Sequence, residues 1–473
     1  MATKSSKGGA DKPGAAKAAG RGPRIAVIGA GSMFFGRQAI KGVMTSPVLR
    51  SGTLALVDTH EPTLRTMAAL AARAKEHSGA PTTIEAATDR REVLRGADFV
   101  VLTFANEGIR WRGVDTEIAA RHGVLMCSSD TIGPGGIFRT LREAHEILAV
   151  ARDIEALCPR AWVINYINPT ACNGILLMRH APHLRSFALC DGLHEPHFRR
   201  RLLRNVGLLA PEATDPEIER RTAVRLGGVN HFTWMWGLEA AGRDCLGAYY
   251  DYMRTHAGDE DAGTHSKSRK NGRYRLALSE IFGAACMCIA HTKEYVPYWQ
   301  GYSRNPPDIE PLALFDAPAR RKQRDGVFEE IGRYVSGAGD MAEFFAKTAT
   351  DHATDVIEGM WGDLGKPFYI NQPNRGAVGN MDSDAFFELL SDVDMDGPRP
   401  VPVGDMPRGL KGLTQQVLDT HELTVEAAVT CDRAILRRAM LTDPIINSIS
   451  DADAIIRDLL EAEREALPAG WFA

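Results

Sequence analysis

The stretch that decides the fold lies near the start of the chain and reads Arg24-Ile25-Ala26-Val27-Ile28-Gly29-Ala30-Gly31-Ser32-Met33-Phe34-Phe35-Gly36. Four apolar residues in a row, 25–28, predict a buried parallel strand, and the Gly-x-Gly turn after them lets the backbone pass close to a pyrophosphate. A helix predicted over 37–44 would direct its N-terminal amides at that phosphate. The spacing departs from the usual pattern, because Phe34 holds the third small position and the next glycine is Gly36. The stretch nevertheless predicts a dinucleotide-binding unit.

A second predicted strand, 53–58, ends in the carboxylate of Asp58, about twenty residues beyond the glycine turn. A carboxylate there accepts a hydrogen bond from a ribose 2′-hydroxyl and repels a 2′-phosphate, so NAD is favoured over NADP. The alternative is a glycine turn in an α/β domain that binds no nucleotide, since the glycine pattern alone has little specificity. The residues predicted to contact NAD in this region are Gly29, Gly31, Ser32, Met33, Phe34, Asp58 and Asn106.

Composition and charge narrow the class of protein. The chain has 473 residues, 44% of them hydrophobic and 25% charged, which is ordinary for a soluble globular protein. A formal net charge of −4 without a basic stripe argues against a nucleic-acid partner, and no apolar run reaches the roughly 20 residues that span a bilayer. Eight cysteines without a CxxC pair fit a reducing compartment, so we expect a cytoplasmic protein. Residues 1–22 lack the apolar core of a secretory signal and are expected to be a disordered leader.

Alternating strand and helix patterns organise the N-terminal part of the chain. They predict a Rossmann-type, doubly wound parallel sheet within residues 23–195, and an α+β domain over 196–473. The run 258–270 is polar and is expected to form a loop, whereas 413–467 is dominated by helical periodicity. The predicted strands are 25–28, 53–58, 99–103, 162–166 and 186–189, and the predicted helices after the first are about 62–77 and 137–157, the latter after a glycine-rich run at 133–136.

Four short segments contain more polar and reactive side chains than is usual in a protein core: 165–170, 190–195, 228–234 and 291–299. The first two follow predicted strands, and ligands of open α/β sheets gather at the carboxyl ends of strands, so we expect one shared cleft.

Each reactive residue also has a structural interpretation. Taken alone, Cys190 is more typical of a small buried hydrophobe and His231 of a hydrogen-bonded core histidine. Asp191, beside a cysteine at a strand end, needs a partner or a function. The run Cys286-Met287-Cys288 followed by His291 suggests a metal, but its apolar neighbours favour core packing.

Several motifs, in order along the chain, resemble the NAD-dependent glycosidases of glycoside hydrolase family 4, from Ile25 to about Pro444. They are the glycine turn, the block Asp130-Thr131-Ile132-Gly133-Pro134-Gly135-Gly136-Ile137-Phe138-Arg139-Thr140-Leu141-Arg142, Asn165-Tyr166-Ile167-Asn168-Pro169, Cys190, Asn230-His231, Glu294-Tyr295-Val296-Pro297, Pro373 to Asn380, and Leu423 to Ala428. The resemblance implies a lactate/malate dehydrogenase-like fold whose second domain binds the substrate, completes the metal site and forms the oligomer.

In that family NAD takes a hydride from C3 of the sugar, a base removes the C2 proton, the C1 substituent leaves by elimination, water adds and the hydride returns. The resemblance implies that Cys190 and His231 bind a divalent metal, usually Mn²⁺. Asn168 would hold the sugar hydroxyls beside the nicotinamide, Tyr295 would be the base and Asp191 the acid. Further implied substrate-binding residues are Asn230, Arg139, His194 and Arg375. A homodimer or homotetramer acting on a small-molecule glycoside is expected.

The sugar is the less determined part of the resemblance. Cys190-Asp191-Gly192 looks like the 6-phospho-α-glycosidases, whereas the block 133–139 resembles members acting on unphosphorylated α-glycosides. We therefore expect an α-linked, unphosphorylated sugar or uronide. The segment Asn380-Met381-Asp382 also departs from the family's Asn-Leu-Pro.

Two other functions remain open from the sequence. The first is a 2-hydroxyacid dehydrogenase of the lactate and malate type, which needs no metal and would use Arg139 or Arg142 to hold the substrate carboxylate. The second is a non-catalytic NAD-binding protein, which would be expected to lose some of Cys190, His231, Asn168 and Tyr295, all of which are present.

Overall fold

The computed structural model describes residues 21–262, 271–288, 290–301, 309, 311–349 and 351–473, without the side chains of Asp191 and 260–262. Nearly all of the predicted leader therefore lies outside the described residues. The strands are β1 Arg24–Ile28, β2 Thr53–Val57, β3 Thr83–Ala87, β4 Phe99–Leu102, β5 Trp162–Asn165, β6 Arg185–Ala188, β7 Ala223–Val229, β8 Phe232–Ala240, β9 Arg243–Asp244, β10 Ala285–Cys286, β11 Pro367–Pro373, β12 Phe386–Asp394 and β13 Gly397–Pro400.

Helices cover most of the remaining described chain. They are α1 Phe35–Thr45, α2 Glu61–Ser78, α3 Arg91–Leu94, α4 Gly108–Arg121, α5 Gly133–Leu157, α6 Thr170–His180, α7 His197–Asn205, α8 Pro216–Arg220, α9 Leu246–Ala262, α10 Asn271–Phe282, α11 Ala317–Ser336, α12 Met341–Lys347, α13 His352–Gly362, α14 Arg408–Thr430, α15 Arg433–Thr442 and α16 Ile449–Ala462. Among the described residues, no helix is both long and apolar enough to cross a membrane.

Nine of the described strands form one sheet in the order β13-β12-β11-β6-β5-β4-β1-β2-β3. The strands from β1 to β6 pair in parallel, and β11, β12 and β13 extend the sheet antiparallel from β6. Successive residues of β1 enter opposite cores, because Ala26 and Ile28 pack with α5 while Ile25 and Val27 pack with α1 and α2. Helices therefore cover both faces, and the predicted doubly wound α/β fold is confirmed.

Close backbone contacts account for the unusual spacing of the glycines in this turn. Gly29 has φ +93°, and a side chain there would lie 2.5 Å from the backbone nitrogen of Phe104. At Gly36 a Cβ would lie 2.0 Å from the carbonyl oxygen of Ala30. Gly36, in the first turn of α1, thus allows the close helix-to-strand packing that the third glycine of the usual motif provides.

Two predicted boundaries were wrong. Helix α5 begins at Gly133 rather than at 137, because Pro134 suits a first helical turn and the Asp443 carboxylate accepts the Gly133 amide at 2.8 Å. Helix α9 extends to Ala262, so the first part of the predicted 258–270 loop is helical, and 263–270 lie outside the described residues.

Candidate active site

A two-residue turn holds the candidate metal-binding histidine. Strands β7 and β8 pair as a hairpin up to Val229 and Phe232, which leaves Asn230 and His231 as the turn. His231 has φ +63°, a left-handed conformation that costs a residue with a side chain about 1–3 kcal/mol and that persists where the surroundings enforce it.

Cys190, directly after β6, meets this histidine. Its Sγ lies 3.5 Å from Nε2 and 3.9 Å from Nδ1 of His231. Thiolate and imidazole ligands of one tetrahedral ion, at about 2.3 and 2.1 Å from the metal, lie roughly 3.6 Å apart. The pair therefore fits two ligands of a single metal ion. Among the described residues, no three His, Cys, Asp or Glu side chains are arranged around one metal ion.

The electrostatic surroundings of His231 also favour a cation. Burial lowers the pKa of this imidazole, but Cys288, Glu388 and Asp130 more than offset burial and raise the pKa to about 9. A negative potential that holds a proton on an imidazole also attracts a metal ion, which competes with that proton. The donor set and its charge thus both fit a divalent cation.

Two residues that the sequence analysis assigned to core packing also reach His231. Cys288 Sγ lies 3.3 Å from Nδ1, and the His291 ring stacks on the His231 ring with centroids 4.1 Å apart. Cys286 and Met287, which are 1% and 6% exposed, fit the core-packing interpretation. The available signal was that His291 begins the polar segment 291–299 and that Cys288 lies three residues before it.

Tyr295, the predicted base, is attached to the same turn. Its hydroxyl donates to the Asn230 carbonyl at 3.0 Å, and the Thr292 hydroxyl donates to the His231 carbonyl at 2.7 Å. Tyr295 is 2% exposed, and burial raises the pKa of its phenol well above 10. The metal-site histidine and the candidate base therefore share one rigid support.

A buried carboxylate that sequence reasoning did not assign organises the other side of the site. Asp130 Oδ2 accepts from Asn168 Nδ2 at 3.3 Å and from Arg139 Nη1 at 3.4 Å, and lies 3.2 Å from Arg112 Nη1. Burial raises the pKa of Asp130, but the two arginines lower it further, so the pKa falls well below its usual range. Burial in turn lowers the pKa of Arg112 to about 10. Asp130 thus joins two predicted substrate-binding residues.

Glu294, directly before Tyr295, links the two sides. Its Oε1 accepts the backbone amides of Ser128 and Ser129 at 3.0 Å each, which places the loop carrying Asp130 against the Tyr295 segment. Glu294 and Asp130 were visible in the sequence only as members of motifs. The partners of Glu294 are far away in the chain, and two partners of Asp130, Arg112 and Asn168, lie outside its motif.

The predicted nucleotide residues meet at the ends of β1 and β2. Asp58 Oδ2 accepts the Gly31 amide at 2.8 Å, and the Ser32 amide donates to the Gly29 carbonyl at 3.0 Å. Met33 and Phe34 continue this loop with half-buried side chains, and Asn106 is exposed in the segment after β4.

The remaining predicted residues differ in position. His194 Nε2 lies 2.7 Å from Asp355 Oδ2, and its ring stacks on His352, whose Nδ1 donates to the Cys190 carbonyl at 3.0 Å. His194 is therefore linked through His352 to the backbone of Cys190, the candidate metal ligand. Arg375 is exposed in the turn after β11 and donates to the Pro398 carbonyl rather than to a residue of the cluster. The side chain of Asp191 lies outside the described part of the chain.

The two arginines named for a dehydrogenase are both paired. Arg142 is 4% exposed and binds the carboxylates of Asp115 and Glu463, both fully buried. Arg139 binds Glu143 as well as Asp130. Each of these two guanidinium groups is thus already engaged by carboxylates of this chain.

Comparison with known proteins identifies the family of the chain. Residues 24–197 match the family described as Family 4 glycosyl hydrolase, and residues 226–446 match its C-terminal domain. An α-galacturonidase of Lachnoclostridium phytofermentans is 27% identical over 401 residues, covering 82% of this chain and 84% of that protein. A probable 6-phospho-β-glucosidase of Bacillus subtilis is also 27% identical, over 462 residues that cover 95% of this chain and 98% of that protein.

Solved structures support the fold. A 6-phospho-α-glucosidase from gut microorganisms, in complex with NAD and Mn²⁺, has a TM-score of 0.79 at 20% identity and covers 95% of this chain and 99% of its own. Malate dehydrogenase of Cryptosporidium parvum has a TM-score of 0.50 at 14% identity, with 86% and 99% covered. At these identities the likeness concerns the fold alone, and it confirms the dehydrogenase-like architecture.

Proposed function

Because the chain belongs to family 4 of the glycoside hydrolases, we propose that it hydrolyses an α-linked glycoside of an unphosphorylated sugar or uronide, with NAD and a divalent metal such as Mn²⁺ as cofactors. The observation that carries the proposal is the arrangement around the β7–β8 turn. The turn holds His231 at 3.5 Å from Cys190, and its Asn230 carbonyl accepts the hydroxyl of Tyr295.

In the proposed reaction, NAD would supply the hydride acceptor for C3, and the divalent cation the positive charge that acidifies C2 and lowers the pKa of a nearby phenol. Cys190 and His231 would hold that cation. Tyr295 would take the C2 proton onto its phenolate oxygen and later return it. Asn168, which donates to Asp130, would orient the sugar hydroxyls, and Asp191 would protonate the departing oxygen at C1.

The charges in the cluster support an unphosphorylated substrate. A sugar phosphate near −2 requires uncompensated cations, usually arginines, to bind its oxygens. Arg112 and Arg139, the arginines around Asp130, are both paired with that carboxylate. The relatives include enzymes named for both kinds of substrate at the same identity, so the support for an unphosphorylated substrate comes from these side chains.

The test is turnover of aryl α-galactoside, α-galacturonide and 6-phospho-α-glucoside in deuterated water, with NAD and Mn²⁺ under reducing conditions. Abstraction at C2 must break the C2–H bond, so the released sugar should carry deuterium at C2 and retain substrate hydrogen at C3, as read by NMR. An α-galactosidase that acts by direct displacement at C1, run in parallel, should give no C2 label. Unlabelled product from the active protein would exclude the elimination pathway, and preference for the phosphorylated substrate would overturn the sugar assignment.

Tyr295→Phe should slow turnover by on the order of 100-fold, as expected for loss of a positioned general base. Tyr298→Phe is the matched control, because Tyr298 lies in the same segment with 43% exposure. Both variants should retain the far-UV circular dichroism spectrum and the NAD affinity of the parent. Equal rates for both variants would remove Tyr295 from the reaction.

We further propose that residues 23–195 bind NAD, that residues 196–473 bind the sugar, complete the metal site and carry the contacts of a homodimer or homotetramer, and that the protein works in the cytoplasm. The eight cysteines, all of them among the described residues, form no disulfide, which supports a reducing compartment. Light scattering coupled to size-exclusion chromatography tests the assembly. A monomeric mass across the micromolar range would contradict it.

A further inference from the structure

Cys288 occupies a position that the proposed reaction does not explain. The imidazole of His231 lies between two thiols, with Cys190 nearest to Nε2 at 3.5 Å and Cys288 at 3.3 Å from Nδ1. We propose that Cys288 is a positioning residue that accepts the Nδ1 proton of His231 and thereby directs Nε2 at the metal. This inference rests on the metal site of the proposed function.

The geometry argues for positioning rather than ligation. One imidazole binds a given ion through one nitrogen. Cys190 lies nearer to Nε2, whereas Cys288 is in hydrogen-bonding contact with Nδ1. Within the described residues, no three His, Cys, Asp or Glu side chains are arranged around one ion. Histidines that bind metals nearly always donate their second N–H to an acceptor, which fixes the tautomer and the ring orientation. Cys288 supplies that acceptor here.

The other contacts of His231 do not fix which ring nitrogen faces the metal site. Stacking on His291, at 4.1 Å and 19°, holds the plane of the ring but does not distinguish its two edges. The hydrogen bond from Thr292 holds the backbone carbonyl of the turn, not the side chain. A bond to Nδ1 is what selects one of the two ring orientations. Without this bond, the imidazole could rotate by 180° within the stack. A ring carbon would then take the place of Nε2 beside Cys190.

The sheet explains why residue 288 reaches the histidine. Strand β10 pairs antiparallel with β8, with Cys286 opposite Trp234, and the Met287 amide donates to the Thr233 carbonyl at 3.0 Å. Continued for one residue, this register brings Cys288 level with Phe232, next to the turn. Cys286, two residues earlier, is buried in the core, but its thiol donates to the Cys288 carbonyl. Cys158, which is buried directly after α5, provides a control thiol outside this segment.

The test uses the full chain saturated with NAD and measures metal binding without substrate. Mn²⁺ affinity is followed by the electron paramagnetic resonance of the free ion, and Co²⁺ binding by its thiolate charge-transfer absorption. Cys288→Ala should weaken Mn²⁺ binding by about 10- to 100-fold, the usual effect of losing such an outer partner, and Cys288→Ser, which keeps an acceptor, should recover part of it. Cys158→Ala should bind Mn²⁺ as the parent does.

The cobalt spectrum separates positioning from ligation. At saturating Co²⁺, Cys288→Ala should keep the parental thiolate band, whereas Cys190→Ser should lose it. A band halved by Cys288→Ala would make Cys288 a ligand and overturn the proposal, as would Mn²⁺ affinity within twofold of the parent. If the parent itself showed no thiolate band, the ligand role of Cys190 in the proposed function would fail, and the role of Cys288 with it. If the parent had the band and Cys288→Ala bound Mn²⁺ normally, only the positioning role would fail.

Discussion

Replacing Asp58 by alanine should weaken NAD binding by roughly 10- to 150-fold, which corresponds to the 1.5–3 kcal/mol of a hydrogen bond to a charged group. Asp58 Oδ2 accepts the Gly31 amide at 2.8 Å and Oδ1 accepts the His60 amide at 2.9 Å. The carboxylate thus holds the glycine turn and would also accept the ribose 2′-hydroxyl. Asp58→Asn keeps one acceptor oxygen for Gly31 but loses the charge that repels a 2′-phosphate. This variant should bind NAD better than the alanine variant and should discriminate less against NADP.

Isothermal titration calorimetry with NAD and with NADP measures both effects. Asp89→Ala is the matched control, since Asp89 is an exposed aspartate that follows β3 and accepts the Arg91 amide at 2.9 Å. It should leave both affinities unchanged. A dissociation constant for NAD within twofold of the parent in a folded Asp58→Ala protein would refute the placement of the ribose.

Three further predictions concern stability. Burial lowers the pKa of His421 to about 4 in the folded chain against an ordinary value near 6.5, so this imidazole alone should lower the free energy of unfolding by about 3 kcal/mol as the pH drops through that window. In urea titrations the total decline, to which buried His352 with its pKa of about 3 also contributes, should be smaller by about 3 kcal/mol in His421→Gln than in the parent. Arg142→Met leaves Asp115 and Glu463 buried without their cation and should cost about 3–5 kcal/mol in urea unfolding at pH 7; a loss below about 1 kcal/mol would contradict the buried triad. Gly36→Ala should destabilise by at least roughly 1–3 kcal/mol and weaken NAD binding, and a neutral result in both assays would contradict the close packing of the first helix.

The regular part of the fold was predictable because its signals are local. Strands β1 and β2 are short, continuous apolar runs, and both are confirmed. Strand β3, Thr83–Ala87, was missed because it lies at the edge of the sheet with a largely uncovered and polar sequence. Strand β11 was missed because Asn371 and Gln372 look like loop residues although both are buried.

The candidate site was predictable where a residue lies in one of the polar segments or motifs. Taken alone, Cys190 and His231 look like core residues; the polar segments and the resemblance to family 4 selected them together with Tyr295, and the geometry brings the three to one turn. The functions of Cys288 and Asp130 depend on partners in other segments, such as Arg112 and Arg139 around Asp130. No local pattern of periodicity or spacing records such long-range pairings.

The hairpin that carries His231 restricts how this chain can change in length. A one-residue slip in a strand pair turns every later side chain to the opposite face. The pairing of β7 with β8 is irregular between Arg225 and Leu226 and continuous from Leu226 to the turn. Natural insertions and deletions should therefore accumulate before Leu226, and they should be excluded from the segment between Leu226 and Trp234. A library of single-residue insertions across 220–240, selected for metal binding, should show the same boundary.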